Sequence, residues 1–397
     1  MNYRVLSLDG GGTWALIQIK ALIALYNGDD TTTGHTVLQD FDLVAANSGG
    51  SIVLGGLVED LTLGELLAFF QDQTTREAIF SPTHSVGDKV LHDLTGLGPK
   101  YSAENKLPAL ENVLPTKGTV PLVQVAAGLR RPGANADVHL LVTGFDYDRN
   151  RAAFFRSSPA SGPAWGTGET ADVTLAEAIH ASTNAPVNYF DAPATFPDHP
   201  GRYWDGAIAG CNNPVLAGVT EAIVKGQTPD NLAVLSIGTA SVALPWPQPG
   251  QPSSPYVQQI VDPGFVADLR KLATSILDDP PDIATFLAHV VTGGGIGLNK
   301  PPADSRIVRM NPLISPVNNA GMWAAPGSMS VAQFTYLAKL DMDAIQQAQV
   351  NAIASYADLW VQNQAPNQPI RMNGDTLTRE LGQDRFLSTL AAWNAIK

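Results

Sequence analysis

Two short apolar runs near the start of the chain each end in a glycine-rich turn and lead into a segment with helical spacing. The first run, Tyr3–Leu8, is closed by Asp9–Gly12, and apolar residues then recur every three or four positions up to Tyr26. The second run, Phe41–Ala46, ends at Asn47–Ser51 and continues as another apolar segment. Repeated strand–turn–helix units favour parallel strands, because the crossover helix returns the chain to the same end of the sheet. The sequence therefore predicts a parallel sheet covered by helices.

Later segments extend this pattern with further buried-strand candidates and with helical segments that contain neither Gly nor Pro. We therefore expect an α/β fold, a three-layer α/β/α sandwich with a mainly parallel central sheet. The strand candidates are Val138–Phe145, Ala152–Phe155, Leu232–Ile237 and the weaker Ser305–Met310, and the helix candidates are Thr174–Ser182, Gln333–Leu340 and Ala344–Val361.

Charge and composition argue against several classes of partner. Of the 397 residues, 24 are Lys or Arg and 37 are Asp or Glu, which gives a net charge of −13. Nucleic acid is not an expected partner, because phosphate backbones require clustered Lys and Arg. Electrostatic docking on anionic lipid is also disfavoured, so membrane contact would be peripheral and through apolar surface. Cys211 is the single cysteine, and no signal peptide or membrane-spanning stretch is visible, so we expect a cytoplasmic protein.

Ser48 stands where an apolar strand turns into a helix. The small residues Ala46 and Gly50, two positions before and after it, allow the sharp turn that projects a serine hydroxyl from the end of a strand. The adjacent helix N-terminus favours negative charge that develops at this point. The pattern is typical of a nucleophile elbow, but a serine that only caps an ordinary strand–helix turn would produce it as well.

The glycines of Asp9–Gly12 allow several backbone N–H groups to point at one position, as in an oxyanion hole. A tight strand–helix connection is a second interpretation. A third is the first phosphate loop of sugar kinases, which Leu8–Thr13 also resembles and in which the Asp would assist Mg²⁺. That phosphotransferase fold requires a second strand directly after the loop. The residues up to Tyr26 favour a helix instead, although apolar residues alternate over Ile17–Ala21.

Asp205 ends a short aromatic run and is followed by Gly206 and Ala207. Small residues after the acid permit a close approach of the backbone at this point. Acid–glycine pairs are also common in ordinary turns, so this motif alone fits both a catalytic acid and a turn.

Together, these motifs resemble those of the patatin-like phospholipase family. In that family a glycine-rich loop, a serine elbow and an Asp-Gly motif occur in this order, and here they correspond to Asp9–Gly12, Ser48 and Asp205–Ala207. Further segments that match the family are Ala181–Pro186, Tyr189–Phe190, Asn212–Pro214 and Leu235–Thr239. The resemblance is clear over Tyr3–Val58 and Val173–Ala240, and it is fainter over Arg306–Pro312 and Leu340–Val361.

The resemblance implies a lipid acyl hydrolase, of the phospholipase A or carboxylesterase type, that uses no cofactor. By this resemblance Ser48 is the nucleophile and Asp205 is the general base. The backbone N–H groups of Gly10, Gly11 and Gly12 form the oxyanion hole. The substrate is a lipid or another ester, and an acyl-enzyme forms and is then cleared by water.

The chain departs from the family pattern at two places. The family carries a basic residue and then Gly shortly after the glycines, whereas Trp14 and Ala15 occupy these positions here. The missing charge argues against recognition of a headgroup phosphate, and it leaves open a catalytically inactive binding or storage protein of the same fold. At the elbow, Ala46 replaces the usual first glycine, which is a milder change.

Histidine and metal chemistry are not indicated. In α/β-hydrolases a catalytic His follows the acid, and the only His after Asp205 is His289, whose apolar neighbours favour a packed helix position. His180 is expected to be structural or pocket-lining, and Cys211 to be a small buried hydrophobe. No set of His, Cys and carboxylates has the spacing of a metal site.

We expect a single catalytic domain over 1–397. Its parts are a motif-bearing core over 1–245, an insertion or cap over 246–330, and C-terminal helices packed on the core over 331–397. Within the insertion, apolar residues follow helical spacing between Phe265 and Leu277. This segment either buries one face on the core or forms part of a cap over Ser48.

Overall fold

Strands and helices alternate along most of the chain. The computed structural model describes all residues except 1, 83–97, 159–172, 248, 251–253, 261, 265–267, 269–270, 272–274, 276–279, 296–304, 320–321, 373–378 and 382. The strands are β1 (Tyr3–Leu8), β2 (Leu43–Ala46), β3 (His139–Asp146), β4 (Arg151–Arg156), β5 (Ala194–Thr195), β6 (Arg202–Asp205), β7 (Leu232–Ile237), β8 (Ser241–Val242), β9 (Ile307–Met310), β10 (Leu313–Ile314), β11 (Val317–Asn319), β12 (Met322–Ala324), β13 (Ile370–Met372) and β14 (Arg379–Leu381). The helices are α1 (Leu16–Leu25), α2 (Gly34–Leu38), α3 (Gly49–Val58), α4 (Leu63–Gln71), α5 (Gln73–Ile79), α6 (Lys106–Val113), α7 (Leu122–Val125), α8 (Leu175–Ser182), α9 (Val215–Val224), α10 (Pro280–Val291), α11 (Val331–Leu337), α12 (Gln347–Val361) and α13 (Phe386–Ile396).

The central sheet has the strand order β5-β6-β3-β2-β1-β7-β9, and β4 also pairs with β3. Strands β1, β2, β3, β7 and β9 are parallel to one another. Strands β4 and β6 run antiparallel to β3, and β5 runs antiparallel to β6. The register places Leu8 beside both Ala46 and Ile237. The turns that follow β1, β2 and β7 therefore meet at one edge of the sheet, which we call the carboxyl edge.

Successive residues of the parallel strands point into hydrophobic cores on opposite faces of the sheet, as the period of a strand requires. In β1, Leu6 and Leu8 belong to the larger core, whereas Val5 belongs to the smaller one. Helices α1, α3, α4, α8 and α12 contribute to the larger core, and α9 and α10 to the smaller. This arrangement confirms the predicted three-layer α/β/α sandwich with a mainly parallel sheet.

The segment after the glycine loop is helical. A short 3₁₀ turn over Gly12–Ala15 leads directly into α1. The second strand that the sugar-kinase phosphate loop requires is not formed at this point, so the structure does not support the phosphotransferase interpretation of Leu8–Thr13.

The C-terminal part of the chain completes the sheet and the larger core. Strand β9 pairs in parallel with β7, so this part of the expected insertion at 246–330 belongs to the sheet. Helix α12 adds Tyr356 and Trp360 to the larger core and contacts α1 through the Lys20–Asp358 ion pair. The apolar positions at 265, 269, 272 and 276 lie outside the described residues, so the cap stays a prediction.

A buried ion pair ties β9 to the start of the glycine loop. The Nη2 group of Arg309 donates to Asp9 Oδ2 at 2.6 Å, and its Nη1 group donates to Ser236 Oγ at 2.8 Å. Both charged side chains are buried. Burial raises the pKa of Asp9 to about 6, and the charge and hydrogen bond of Arg309 act in the opposite direction. The pair therefore anchors the first residue of the loop to the sheet.

Removal of one partner of this pair should be strongly destabilising. In Arg309→Met the Asp9 carboxylate stays buried without a partner, and we expect a loss of about 3–5 kcal/mol in the free energy of unfolding at neutral pH. The folded state binds the Asp9 proton more tightly than the unfolded state does, so the variant should regain stability as the pH falls and Asp9 is protonated.

Urea denaturation at several pH values measures both effects. The control is Arg130→Met, which breaks an exposed pair with Asp137 and should cost less than about 1 kcal/mol. Equal and pH-independent losses in the two variants would contradict an anchoring role for the buried pair.

Candidate active site

Ser48 occupies the turn between β2 and α3 at the carboxyl edge of the sheet. Its backbone has φ 47° and ψ −124°, a positive-φ conformation that is uncommon for a residue with a side chain. The chain passes so closely here that a Cβ on Gly50 would lie 2.4 Å from the Leu8 carbonyl oxygen. The Ser48 N–H donates to Ser182 Oγ at 2.8 Å. This sharp and supported turn has the geometry of a nucleophile elbow.

Asp205, the last residue of β6, lies close enough to Ser48 for the serine hydroxyl to lower the pKa of its carboxyl group. Its Oδ1 atom accepts hydrogen bonds from Asn47 Nδ2 and from the Ala207 backbone N–H, both at 2.9 Å. Thr143 Oγ1 donates to Asn47 Oδ1 at 2.6 Å and so fixes the orientation of this amide. The structure therefore brings the two residues singled out in the sequence together and holds the acid from several sides.

Burial governs the protonation of Asp205. The residue is 2% exposed, and burial raises the pKa of its carboxyl group. Hydrogen bonds from Ala207, Ser48 and Asn47 act in the opposite direction, as does the positive charge of Lys106. A carboxylate with a raised pKa accepts a proton more readily, which suits a general base.

The glycines of the loop differ in what their backbone N–H groups do. Gly10, expected to be an oxyanion donor, instead donates its N–H to the Asn212 carbonyl oxygen at 2.7 Å. The φ angles of Gly11 and Gly12 are 153° and 55°. Neither of their N–H groups has an acceptor in the described part of the chain. Gly10 contributes space, because a Cβ there would lie 2.9 Å from Ser48 Cβ.

A cavity with about 370 Å³ of empty space, part of which is open to solvent, lies over Ser48. Its walls are mainly apolar, as in most small-molecule sites. Ser48 itself is only 6% exposed at the end of this cavity. The remaining lining residues are Gly12, Gly49, Ile52, Ile79, Phe80, Lys106, Thr183, Ala185, Tyr189, Phe190 and Met342.

Trp14, at the position where the family carries a basic residue, is buried and bonded to a distant segment. Its indole Nε1 donates to the Asp341 carbonyl oxygen at 3.0 Å, and the Thr13 N–H donates to the Met342 carbonyl oxygen at 3.1 Å. These bonds hold residues 341–343 against the glycine loop, where Met342 lines the cavity. Where the family carries a positive charge, Trp14 therefore supplies a hydrogen bond that holds the 341–343 segment.

The opposite side of the 341–343 segment is held by side chains near the cavity. Tyr189 donates to Asp341 Oδ1 at 2.6 Å, and Tyr101 donates to Asp343 Oδ2 at 2.5 Å. Lys100 Nζ also donates to Asp343 Oδ2 at 2.9 Å. Because Tyr189 lines the cavity, these contacts bring the segment and the cavity wall together.

Three other side chains singled out in the sequence make no hydrogen bond to Ser48 or Asp205 in the described part of the chain. The ring nitrogens of His289 are paired with Ser305 Oγ and the Gly295 carbonyl oxygen, as in a packed histidine. Burial, with a smaller effect of Lys106, lowers the pKa of His180 to about 3, so this ring is neutral. Burial also raises the pKa of the Cys211 thiol to about 11. The described residues contain no His, Cys and carboxylate cluster that could hold a metal ion.

Comparison with known families identifies the group of proteins to which this site belongs. A family model described as Patatin-like phospholipase matches residues 6–219, which is more than half of the chain. The chain belongs to the patatin-like phospholipase family. The matched region contains the glycine loop, Ser48 and Asp205.

Two individual proteins show a partial likeness to this chain. The cGAMP-activated phospholipase of Pseudomonas aeruginosa (strain BWHPSA011 / Pa011) is 33% identical over 75 residues, which cover 19% of this chain and 21% of that protein. The chain thus spans about a fifth of the length of this curated relative. The crystal structure of VipD from Legionella pneumophila matches with a TM-score of 0.34 and 10% identity, over 90% of this chain and 67% of that chain. Within the described part of the chain, no helix has the length and apolar character needed to cross a membrane.

The hydrogen bond made by Trp14 can be tested by substitution. Trp14→Phe keeps an aromatic ring but removes the indole N–H, so we expect a loss of about 1 kcal/mol in the free energy of unfolding. Amides of residues 341–345 should also exchange hydrogen for deuterium faster, as measured by mass spectrometry. Trp246→Phe is the control, because that ring is 67% exposed and should change neither quantity. Unchanged exchange in Trp14→Phe would mean that the segment is held without this bond.

Proposed function

We propose that this chain hydrolyses carboxylic esters of lipids through a Ser48–Asp205 dyad. The observation that carries the proposal is the closeness of the Ser48 hydroxyl to the buried Asp205 carboxylate, whose pKa the hydroxyl lowers, beside a mainly apolar cavity. No histidine among the described residues hydrogen-bonds with Ser48. Asp205 is therefore the group in position to take the serine proton.

The first half of the proposed reaction forms an acyl-enzyme. Ser48 Oγ attacks the ester carbonyl carbon while its proton passes to Asp205, and the carbonyl electron pair moves onto the oxygen. The tetrahedral oxyanion accepts hydrogen bonds from the N–H groups of Gly11 and Gly12. When it collapses, the bond to the leaving alcohol breaks, and the alcohol takes the proton from Asp205.

Gly49 supplies a third donor to the oxyanion in this proposal. It lines the cavity directly after Ser48 and begins α3, so its N–H has no partner within the helix. Sequence reasoning had not singled it out, although the residue after the nucleophile supplies such an N–H in other hydrolase elbows.

The second half of the reaction releases the acid. A water molecule attacks the acyl carbonyl carbon and gives a proton to Asp205. The resulting oxyanion is held by the same N–H groups. On collapse, Ser48 Oγ leaves and recovers the proton from Asp205, and the carboxylic acid departs.

The cavity supports uncharged or zwitterionic acyl esters as substrates, such as short p-nitrophenyl esters and phospholipids. Apolar walls such as Ile52, Phe80 and Phe190 would cover the acyl chain. The net charge of −13 disfavours anionic surfaces, and Trp14 removes the family's phosphate partner from the loop. Contact with a membrane would then be peripheral and through apolar surface.

Ser48→Ala and Asp205→Ala should each lower kcat/KM for p-nitrophenyl butyrate by at least about 10³-fold, because each variant removes one group of a unit that acts together. A fluorophosphonate should label Ser48 in the unchanged protein. Two control variants should keep most activity: His289→Ala alters a packed histidine, and Ser157→Ala alters a serine at the opposite edge of the sheet.

Two outcomes would replace this proposal. If His289→Ala were as inactive as Ser48→Ala with an unchanged circular dichroism spectrum, a triad that includes this histidine would be favoured. If Ser48 resisted labelling and no ester were cleaved, the chain would be a catalytically inactive binding protein of the same fold.

The pH dependence tests the role of Asp205 separately. Asn47→Asp places a second carboxyl group at the position that donates to Asp205 from 2.9 Å. Repulsion between the carboxylates should raise the pKa of Asp205 further. Since Asp205 must be ionised to accept the serine proton, the acid limb of the kcat/KM profile should move to higher pH by about one unit or more. Asn231→Asp, at the opposite edge of the sheet, should leave it unchanged. An unmoved acid limb in Asn47→Asp would argue that another group is the base.

A further inference from the structure

Lys106 is a buried lysine in the wall of the cavity that contains Ser48. It is the first residue of α6 and is only 1% exposed. The reaction described above gives it no role. Because an ammonium group is costly to bury without compensating partners, its surroundings indicate what the group does.

The contacts of Lys106 Nζ are with acceptors. It donates to the Thr183 carbonyl oxygen at 2.7 Å and to Asn184 Oδ1 at 3.3 Å, and it lies 3.7 Å from the centroid of the Phe190 ring. An ammonium group has three N–H bonds and no lone pair, so it satisfies two oxygens and a ring face together. A neutral amine has only two N–H bonds. Burial lowers the pKa of Lys106 well below its ordinary value, and the charge of the nearby Asp205 acts in the opposite direction. The two oxygen acceptors and the ring face also favour the charged form, because each of them interacts more strongly with an ammonium group than with a neutral amine.

The turn that Lys106 holds also holds Asp205. The Asn184 carbonyl oxygen accepts the Asp205 backbone N–H at 3.0 Å. The Asn184 side chain is fixed in turn, because its Nδ2 donates to the Ala192 carbonyl oxygen at 2.6 Å. A single residue therefore connects the lysine to the backbone of the acid, and the lysine charge also acts on the Asp205 carboxylate directly.

Other titratable groups near this site keep one protonation state around neutral pH. The His180 ring is neutral, because burial and the charge of Lys106 lower its pKa to about 3. The Cys211 thiol, close to Asp205, is protonated because its pKa is raised to about 11. Burial also raises the pKa of Tyr189 in the cavity wall. Among these groups, only Lys106 carries a positive charge that acts on Asp205.

We propose that Lys106 is a positioning residue for the reaction: its ammonium group fixes the Thr183–Asn184 turn that carries the Asp205 backbone, and it places a positive charge in the wall of the Ser48 cavity. The inference rests on the proposed function, in which Asp205 is the base. Its consequence is that Asp205 stays ionised, and able to accept the serine proton, at a lower pH than burial alone would allow.

The test is the pH profile of kcat/KM for p-nitrophenyl butyrate, measured with the full chain. Lys106→Met keeps the length of the side chain and removes the charge, so the acid limb should move to higher pH by about one unit, with a nearly unchanged KM. Lys106→Arg keeps the charge and should keep the acid limb in place, even if kcat falls. Lys339→Met removes an exposed charge and serves as the control.

An unmoved acid limb in folded Lys106→Met would overturn the proposal, because a lysine that only packs would change kcat and stability alone. If Lys106→Met does not fold, the unchanged protein supplies the test through selective ¹³Cε labelling of its lysines. Over the pH range of the acid limb, no lysine ¹³Cε signal should have the chemical shift of a neutral amine. A signal at that shift would show that the buried amine is uncharged, and it would overturn the proposal.

Failure of the proposed function would look different. Activity that survives in Ser48→Ala or Asp205→Ala would remove the dyad itself. If Ser48→Ala and Asp205→Ala both lose activity but the acid limb stays in place in Lys106→Met, only the proposed role of the lysine would be wrong.

Discussion

Ser48 keeps a positive φ angle of 47° because the neighbouring turns leave its backbone little other space. A Cβ on Gly10 would lie 2.9 Å from Ser48 Cβ, and a Cβ on Gly206 would lie 2.4 Å from Asn47 Oδ1. Backbone strain of this kind persists only where the surroundings over-determine it. The turns after β1, β2 and β6 provide that constraint, and their mutual contact places the glycine loop, the serine and the acid at fixed positions.

Buried charged groups also stabilise the contact between these turns. Two buried carboxylates at the carboxyl edge have a cation brought from another part of the chain: Arg309 pairs with Asp9, and Lys106 acts on Asp205. Asp9 and Arg309 are 300 positions apart in sequence, so their pairing forms only when β9 has joined the sheet. The site therefore depends on the completed fold for its electrostatics as well as for its shape.

The separation in sequence between interacting residues explains how much of the molecule could be predicted from its sequence. Strands β1 and β7 have the predicted bounds, because an apolar run closed by turn residues is a local signal. The small residues around Ser48 and Asp205 are also a local signal, and they carry the prediction of the candidate catalytic pair. The hydrogen bond from Gly10 to Asn212 was not, because the acceptor reaches the loop only in the folded chain. Lys106 and Met342 carry no local pattern, since they join the cavity through packing of distant segments.

The 341–343 segment adds a consequence for the order in which the protein is made. The glycine loop, the serine and the acid lie within the first 205 residues, whereas Arg309, the hydrogen-bond acceptor for Trp14 and the Met342 wall of the cavity are synthesised much later. A growing chain that has emerged from the ribosome only as far as Asp205 carries all three motifs without the contacts that organise them. The contacts that organise the three motifs are thereby tied to synthesis of the segments that contain Arg309 and residues 341–343.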